Sequence, residues 1–580
     1  MGKFLLGLLT GAVLVVLICV IGFFALASLR SKPATIADGS TLVLHLSGEV
    51  PEKPPIEFSI PGLGDRPSIT VENVWSMLRR AAADPRVKAV VFEPESVSAG
   101  WATMQEIRAD LETFRKSGKP LIAWLKSPSL RDYYMASACT KIYMPPTDLL
   151  NLKGIGFQLT YFKNTLDKLG VQMDVEHAGK YKDYGDQWTR SSMSPETKEV
   201  MNSLADDLYG DLVSVIAKSR AKDAAAVREI IDNGPFLAKQ AKANGLIDDL
   251  RYEDEVFGEV KTALHQTELK KASEKEYSGV TDASAGLGAT GVANAQIAFI
   301  VGEGSITRGD ESDGLQSGAF DRMLDKVAND SNVKAAIVRI NSPGGEVVAS
   351  DDMWRAMNQL MTKKPVVISM ADTAASGGYY MAMTGSPIVA YPGTVTGSIG
   401  VVFGKPNLHG LYDKLGITKD TVSRGKFALI DSDYASLTPE GRAKLKEGID
   451  ATYDDFLDKV SKSRKKPVSE IEPVAQGRVW LGDQAKERGL VDDLGGIDVA
   501  VQRARQLAGI PASSHVSLVP YPAKKSLLEY IMQAASDDGS DAVLSRAGLE
   551  PLRAALRDSR LRVWMRGGMM RMMPFAMEFK

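Results

Sequence analysis

DPRVKAVVFEP, from Asp84 to Pro94, returns as DSNVKAAIVRI from Asp330 to Ile340, and this pair of apolar runs decides how the 580-residue chain is organised. Each run sets Val, Ala, Ile or Phe at successive positions, the pattern of a strand buried on both faces. The same order of segments recurs about 246 positions later: KPLIAWL at Lys119 and KPVVISM at Lys364, DYYMA at Asp132 and GYYMA at Gly378, AKANGLIDDL at Ala241 and AKERGLVDDL at Ala485. Preserved order over such a span means duplication of one unit, and the period is far too long for a solenoid.

Each copy opens on a short apolar strand, TLVLHLSG from Thr41 or QIAFIVGEG from Gln296. Segments of helical period follow, such as MQEIRADLETFRKSG and DDMWRAMNQLMTK, alternating with further β-rich runs. Strands that alternate with helices predict an α/β fold with largely parallel sheets. The expected organisation is an N-terminal membrane anchor over 1–32, a first repeat over 40–272, an Ala/Gly-rich linker over 273–295, a second repeat over 296–510 and a C-terminal extension over 511–580.

The chain carries 70 Lys and Arg against 72 Asp and Glu, a formal net charge of −2. That balance provides no global field to attract nucleic acid, so DNA and RNA are not expected partners. Cys19 and Cys139 cannot build a disulfide framework or a CxxC metal site. His45, His177, His265, His409 and His515 are scattered, without HExxH spacing. No metal or organic cofactor is expected.

From Phe4 to Leu29 the chain reads FLLGLLTGAVLVVLICVIGFFALASL without a charge. About 20 apolar residues cross a hydrocarbon core as a helix. The run also exceeds the roughly 7–15-residue core of a cleavable signal peptide, so an uncleaved anchor contacting lipid through residues 4–29 is expected. Lys3 on one flank and Arg30 and Lys32 on the other leave its orientation open. At the opposite end, the Arg/Met-rich tail from Arg553 to Lys580 is broken by RGGMMRMMPF and reads either as a membrane or subunit contact or as a surface tail.

The two copies differ where chemistry would lie. In the second copy NSPGGEV follows a buried strand, and Pro-Gly-Gly makes a tight turn whose amides can face a ligand. ADTAASGGYYMA then places Ser376 at a strand-to-helix junction among small residues, where a substrate backbone can approach. With no histidine triad in view, a lysine made neutral by desolvation is the candidate base. HAGKYKDY of the first copy carries Lys180 and Lys182, whereas SRGKFALI of the second carries Lys426 and Ala428 in their places. Conversely, Leu130 or Arg131 stands opposite Ser376, and VSAGW stands where SPGG would be. Reciprocal loss of this kind is what one composite site, drawing one partner from each repeat, would leave behind. Lys180, kept in both copies, reads as structural.

At NSPGG from Asn341, AASGGYY around Ser376, TGSIG from Thr396 and GKYK ending at Lys182, the chain resembles the long, duplicated form of the signal peptide peptidase A family. The resemblance implies tandem ClpP/crotonase-like domains behind one transmembrane helix, and a Ser-Lys serine protease. It implies Ser376 as nucleophile, Lys182 as general base and Ser398 of TGSIG as the group orienting the lysine. Gly345 and Gly377 are implied as oxyanion donors, with Gly344 an open alternative to Gly345. A homotetramer acting on hydrophobic peptides such as signal peptide remnants is implied too, with its catalytic domain on the periplasmic side of the bacterial inner membrane. The same fold hosts CoA-thioester enzymes; the two Gly-rich turns and the reciprocal lysine favour acyl transfer.

Overall fold

The computed structural model describes residues 36–54, 69–288, 294–310, 314–521 and 568–573. The anchor expected over 1–32 lies outside them; among the described residues no helix is long and apolar enough to cross a membrane.

Two sheets with one strand order organise the chain. The first runs Asp249–Leu250, Lys141–Met144, Leu121–Trp124, Val87–Ser98, Ser40–Glu49, Lys271–Ser273, every neighbouring pair parallel. The second repeats it as Asp493–Leu494, Ile388–Ala390, Val366–Ala375, Val333–Ser342, Asn294–Glu303, His515–Tyr521, again parallel. Side-chain anchors recur with the strands. Tyr133 donates to Leu246 O at 2.7 Å as Tyr379 does to Leu490 O at 2.9 Å, and Arg220–Asp248 recurs as Arg464–Asp492. The apolar stretches Ala89–Phe92 and Ala335–Val338 are buried at every residue, as strands covered on both faces.

Helices pack on these sheets and tie the repeats together. Helix Val71–Ala83 opens with a capping box between Thr70 and Asn73. Helix Trp101–Arg115 opens at Gly100, which has no capping side chain, and Asp372 of the other repeat supplies the missing acceptor. Its carboxylate takes the amides of Gly100 and Thr103 at 3.0 and 2.8 Å. A β-carbon at position 100 would fall 2.3 Å from Asp372 Cγ, so the glycine is what lets the two repeats meet there. Deeper in the same interface, Arg339 is fully buried and joins Glu52 at 2.7 Å to Glu106 at 2.6 Å. One apolar core runs across the boundary, from Phe92 and Phe114 to Ile337 and Val367, and a second surrounds Phe320, Met353 and Phe456.

Part of the stretch read as a linker is packed: Tyr277, Val280 and Ala285 are buried, and Tyr277 donates to Asp84 at 3.0 Å. Residues 289–293 lie outside the described residues. The C-terminal extension also contributes structure, first as His515–Tyr521 at the edge of the second sheet. It returns as the strand Gly568–Met572, in a third sheet ordered Leu315–Gln316, Ile306–Thr307, Gly344–Glu346, Gly568–Met572, Val401–Asn407, Gln172–Ala178. The tail therefore enters the sheet that carries the Gly-rich turn. The remaining residues of the extension, 522–567 and 574–580, lie outside the described residues.

Candidate active site

Ser376 ends the strand Val366–Ala375 and opens the short helix Gly377–Met381. It does so with φ 54 and ψ −113, a conformation costly for a residue bearing a β-carbon. The Ser376 amide donates to Gly397 O at 2.9 Å, which holds the bend against the neighbouring strand. In the first repeat the Tyr133 anchor makes Leu130 the counterpart of Ser376. Ser129 just before it is an ordinary N-cap with φ −75.

Lys182 comes from the other repeat. The strand Gln172–Ala178 pairs antiparallel with Val401–Asn407, and the turn after it is fastened to the second repeat by Tyr181 N to Gln476 O at 2.7 Å and Lys180 N to Gln476 Oε1 at 2.9 Å. The Lys182 stem lies on two glycines. A β-carbon at Gly477 would be 2.6 Å from Lys182 Cβ, and one at Gly400 would be 3.1 Å from Lys182 Cδ. Guided this way, Nζ reaches 2.7 Å from Ser376 Oγ, 2.8 Å from Ser398 O and 2.9 Å from Ser398 Oγ. All three side chains are fully buried. Burial pushes the Lys182 ammonium well below the usual lysine range; the Asp183 carboxylate opposes this and the Arg571 guanidinium adds to it. Burial also raises Asp183, to about 6.

The Gly-rich turn stands beside the serine. Gly344 has φ +99, and a β-carbon there would fall 2.6 Å from Gly377 N and 2.0 Å from Arg571 O, so no other residue fits. Its own amide is engaged by Ser342 Oγ at 3.2 Å. Gly345 N lies 3.1 Å from where a β-carbon of Gly377 would sit, which brings the Gly345 and Gly377 amides to one small space.

The structure thus brings Ser376, Lys182, Ser398, Gly345 and Gly377 together. Lys180 is exposed and stacks on Tyr181, as Lys426 stacks on Phe427, and Ala428 is exposed. Sequence reading missed Gly400 and Gly477, whose role depends on a loop of the other repeat. It also missed the strand Gly568–Met572, whose partners are far away along the chain. A buried arginine between methionines carries no strand signal.

The chain matches peptidase family S49 twice, over residues 113–267 and 358–511. It is 37% identical over 493 residues to the chloroplastic serine protease SPPA of Arabidopsis thaliana, covering 83% of this chain and 71% of that one. To Protease 4 of Salmonella typhi it is 32% identical over 495 residues, covering 80% and 78%. To Protease 4 of Haemophilus influenzae it is 31% identical over 455 residues, covering 76% and 73%. With one family match in each repeat and relatives aligned across most of their length, the chain belongs to peptidase family S49 in its duplicated form and is a serine peptidase.

Proposed function

We propose that the protein is a membrane-anchored endopeptidase in which Ser376 attacks the peptide carbonyl and Lys182 is its general base. The observation that carries this reading is the 2.7 Å approach of Lys182 Nζ to Ser376 Oγ, both fully buried. A neutral amine at that distance takes the serine proton as Oγ bonds to carbon, then returns it to the leaving nitrogen. Ser398 holds the amine by two acceptors, and the Gly345 and Gly377 amides stabilise the oxyanion. Water next attacks the ester by the reverse proton path and frees the serine.

The substrate class is extended hydrophobic peptides, signal peptide remnants among them, presented beside the bilayer to which residues 4–29 tether the enzyme. The working assembly is a homotetramer with its catalytic domains on the periplasmic face of the inner membrane. These assignments draw on the resemblance at the motifs and on the duplicated family membership. Assay of the detergent-solubilised full chain on a short apolar fluorogenic peptide tests the chemistry, with Ser376→Ala and Lys182→Ala as variants and circular dichroism as folding control. Both variants are expected to be folded and inactive; turnover by folded Lys182→Ala would overturn the assignment of the base.

A further inference from the structure

One short segment of the second repeat, Gln476–Gly477–Arg478, lies between the two halves of the site, and its backbone serves both. The Ser398 amide donates to Arg478 O at 2.7 Å, and the Gly477 amide donates to Ile399 O at 2.7 Å. On the other side the Gln476 carbonyl takes the Tyr181 amide of the lysine turn at 2.7 Å. Ser398 offers Lys182 two acceptors, and Tyr181 precedes Lys182 in the chain. Three consecutive residues therefore hold both the lysine and the group that orients it.

The Arg478 side chain turns back over the lysine turn. Its guanidinium carbon lies 5.0 Å from the Tyr181 ring centroid and 4.4 Å from that of Trp480, within the range where a planar cation is attracted to each ring. Its Nη1 pairs with Glu199, on the helix Pro195–Ser219 of the first repeat. The Tyr181 hydroxyl donates to both oxygens of that same carboxylate at 3.2 Å. Arg478 and Glu199 thus grip Tyr181 by its ring and by its hydroxyl. Glu199 is half-exposed, and an ion pair at such a place adds little stability. What the clamp restricts is where the Tyr181 ring can go, and the Lys182 stem with it.

The duplication shows that the clamp accompanies the dyad. Counting seven residues back from AKANGLIDDL and from AKERGLVDDL puts Gly234 in the place of Arg478. The strand pairs agree, since Leu149 faces Leu237 as Val395 faces Leu481. The helices Pro195–Ser219 and Pro439–Arg464 open alike on Ser-Pro-Glu and Thr-Pro-Glu, so Ala443 stands where Glu199 does. Phe427 stands where Tyr181 does, stacked under Lys426. Each member of the clamp is lost in the copy that has no use for it, to a glycine, an alanine and a ring without a hydroxyl. The scaffold common to both repeats is built without the clamp, which ties the clamp to the site.

We propose that Arg478 is a positioning residue for the general base: clamped to Tyr181 and Glu199, it fixes the turn that carries Lys182 against the loop that carries Ser398. The proposal rests on the Ser376–Lys182 reading above. Without the clamp the turn can swing the lysine away from Ser376 Oγ, and water can reach Nζ.

The full chain in detergent, assayed on a short apolar fluorogenic peptide, tests this, with sites counted by labelling Ser376 to completion with a fluorophosphonate. Arg478→Ala should lower kcat per labelled site about 10–100-fold while KM stays within about twofold. Water beside a buried lysine raises its ionisation, so the rising limb of kcat/KM should move to higher pH by about half a unit or more. Asp183 and Arg571, the other charged groups that bear on Lys182, are the same in every variant. Arg478→Lys keeps a cation beside the rings but loses the planar fork, and should recover part of kcat. Arg488→Ala is the control. Its guanidinium carbon lies 3.8 Å from the Trp480 ring centroid but makes no hydrogen bond or ion pair to Tyr181 or Glu199 among the described residues, so kcat and the limb should stay in place. Tyr181→Phe and Glu199→Gln open the clamp from the first repeat and keep the test decisive if Arg478→Ala does not fold. Each should lower kcat about threefold or more and move the limb in the same direction. Wild-type kcat per labelled site with an unmoved limb, in Arg478→Ala or in both of these variants, overturns the proposal even if thermal stability falls, because the clamp then serves the fold alone. A loss carried by KM overturns it as well. Turnover by folded Lys182→Ala would instead overturn the base on which the proposal rests.

Discussion

Gly477 stands so close to Lys182 that a β-carbon at 477 would fall 2.6 Å from the lysine's backbone nitrogen and 2.6 Å from its Cβ. These atoms belong to the turn that carries Lys182, the proposed base, so they cannot yield without moving Nζ. Gly477→Ala is therefore expected to lower kcat on the order of 10²-fold, the effect of about 1 Å of misplacement, with KM little changed. Gly118→Ala is the control. Its φ of +80 matches the +75 of Gly477, but nothing lies within 4 Å of its added carbon, so it should cost stability and leave kcat alone. Equal kcat in the two variants would show that the glycine does not position the lysine.

The direction of the Lys182 shift sets the pH dependence. As the proposed base Lys182 works only when neutral, and burial moves its ionisation well below the usual lysine range, so kcat/KM should rise with pH and level off below the pH at which an ordinary lysine titrates. Lys182→Arg should be inactive throughout, because a guanidinium stays protonated. Lys180→Ala should keep substantial activity, since that side chain is exposed beside Tyr181. A pH-rate profile for the three proteins checks all of this, and a wild-type rate still climbing in the ordinary lysine range would contradict it.

Ser398 gives Lys182 two acceptors, its hydroxyl at 2.9 Å and its carbonyl at 2.8 Å. Ser398→Ala removes only the first. One hydrogen bond of about 1–1.5 kcal/mol is lost from the orientation of the base, and kcat should fall roughly tenfold rather than vanish. A loss as complete as that of Ser376→Ala would mean that the hydroxyl takes part in the proton path itself.

The repeat was legible because local strings such as AKANGLIDDL and AKERGLVDDL sit on equivalent strands, and the two sheets share one order. Ser376 and Lys182 could be paired across 194 positions because each repeat lost the partner that the other kept. What escaped the sequence depends on contacts between distant segments. Asp372 reads as a loop residue, yet it caps a helix of the other repeat. Tyr277 lies just before the small-residue stretch of the expected linker, yet it is buried and anchors that region in the core. Arg571 has the look of a solvated charge, yet it is buried against the Tyr380 ring and pairs with Asp455.

Arg339 offers a test of how the repeats are held together. It occupies a strand position whose neighbours along the chain are apolar, and its guanidinium meets Glu52 and Glu106 of the first repeat and Ser369 at 3.0 Å, all away from solvent. Replacing it with methionine keeps much of the volume but strands two buried carboxylates, at a cost of about 3–5 kcal/mol. The deficit should depend on pH. Burial already holds Glu52 up at about 7 with the arginine present, and without it the carboxyl will hold its proton to still higher pH. A carboxyl raised in the folded state stabilises most below its unfolded value of 4.5 and loses that contribution as pH rises through the folded value. Arg339→Met should thus be furthest below wild type in the alkaline range, and the gap should narrow on acidification towards pH 7, below which the Glu52 carboxyl is protonated in both folded proteins. Thermal unfolding of both proteins from pH 5 to 9 measures it; a gap independent of pH would show that lost packing, not the stranded carboxylates, accounts for the instability.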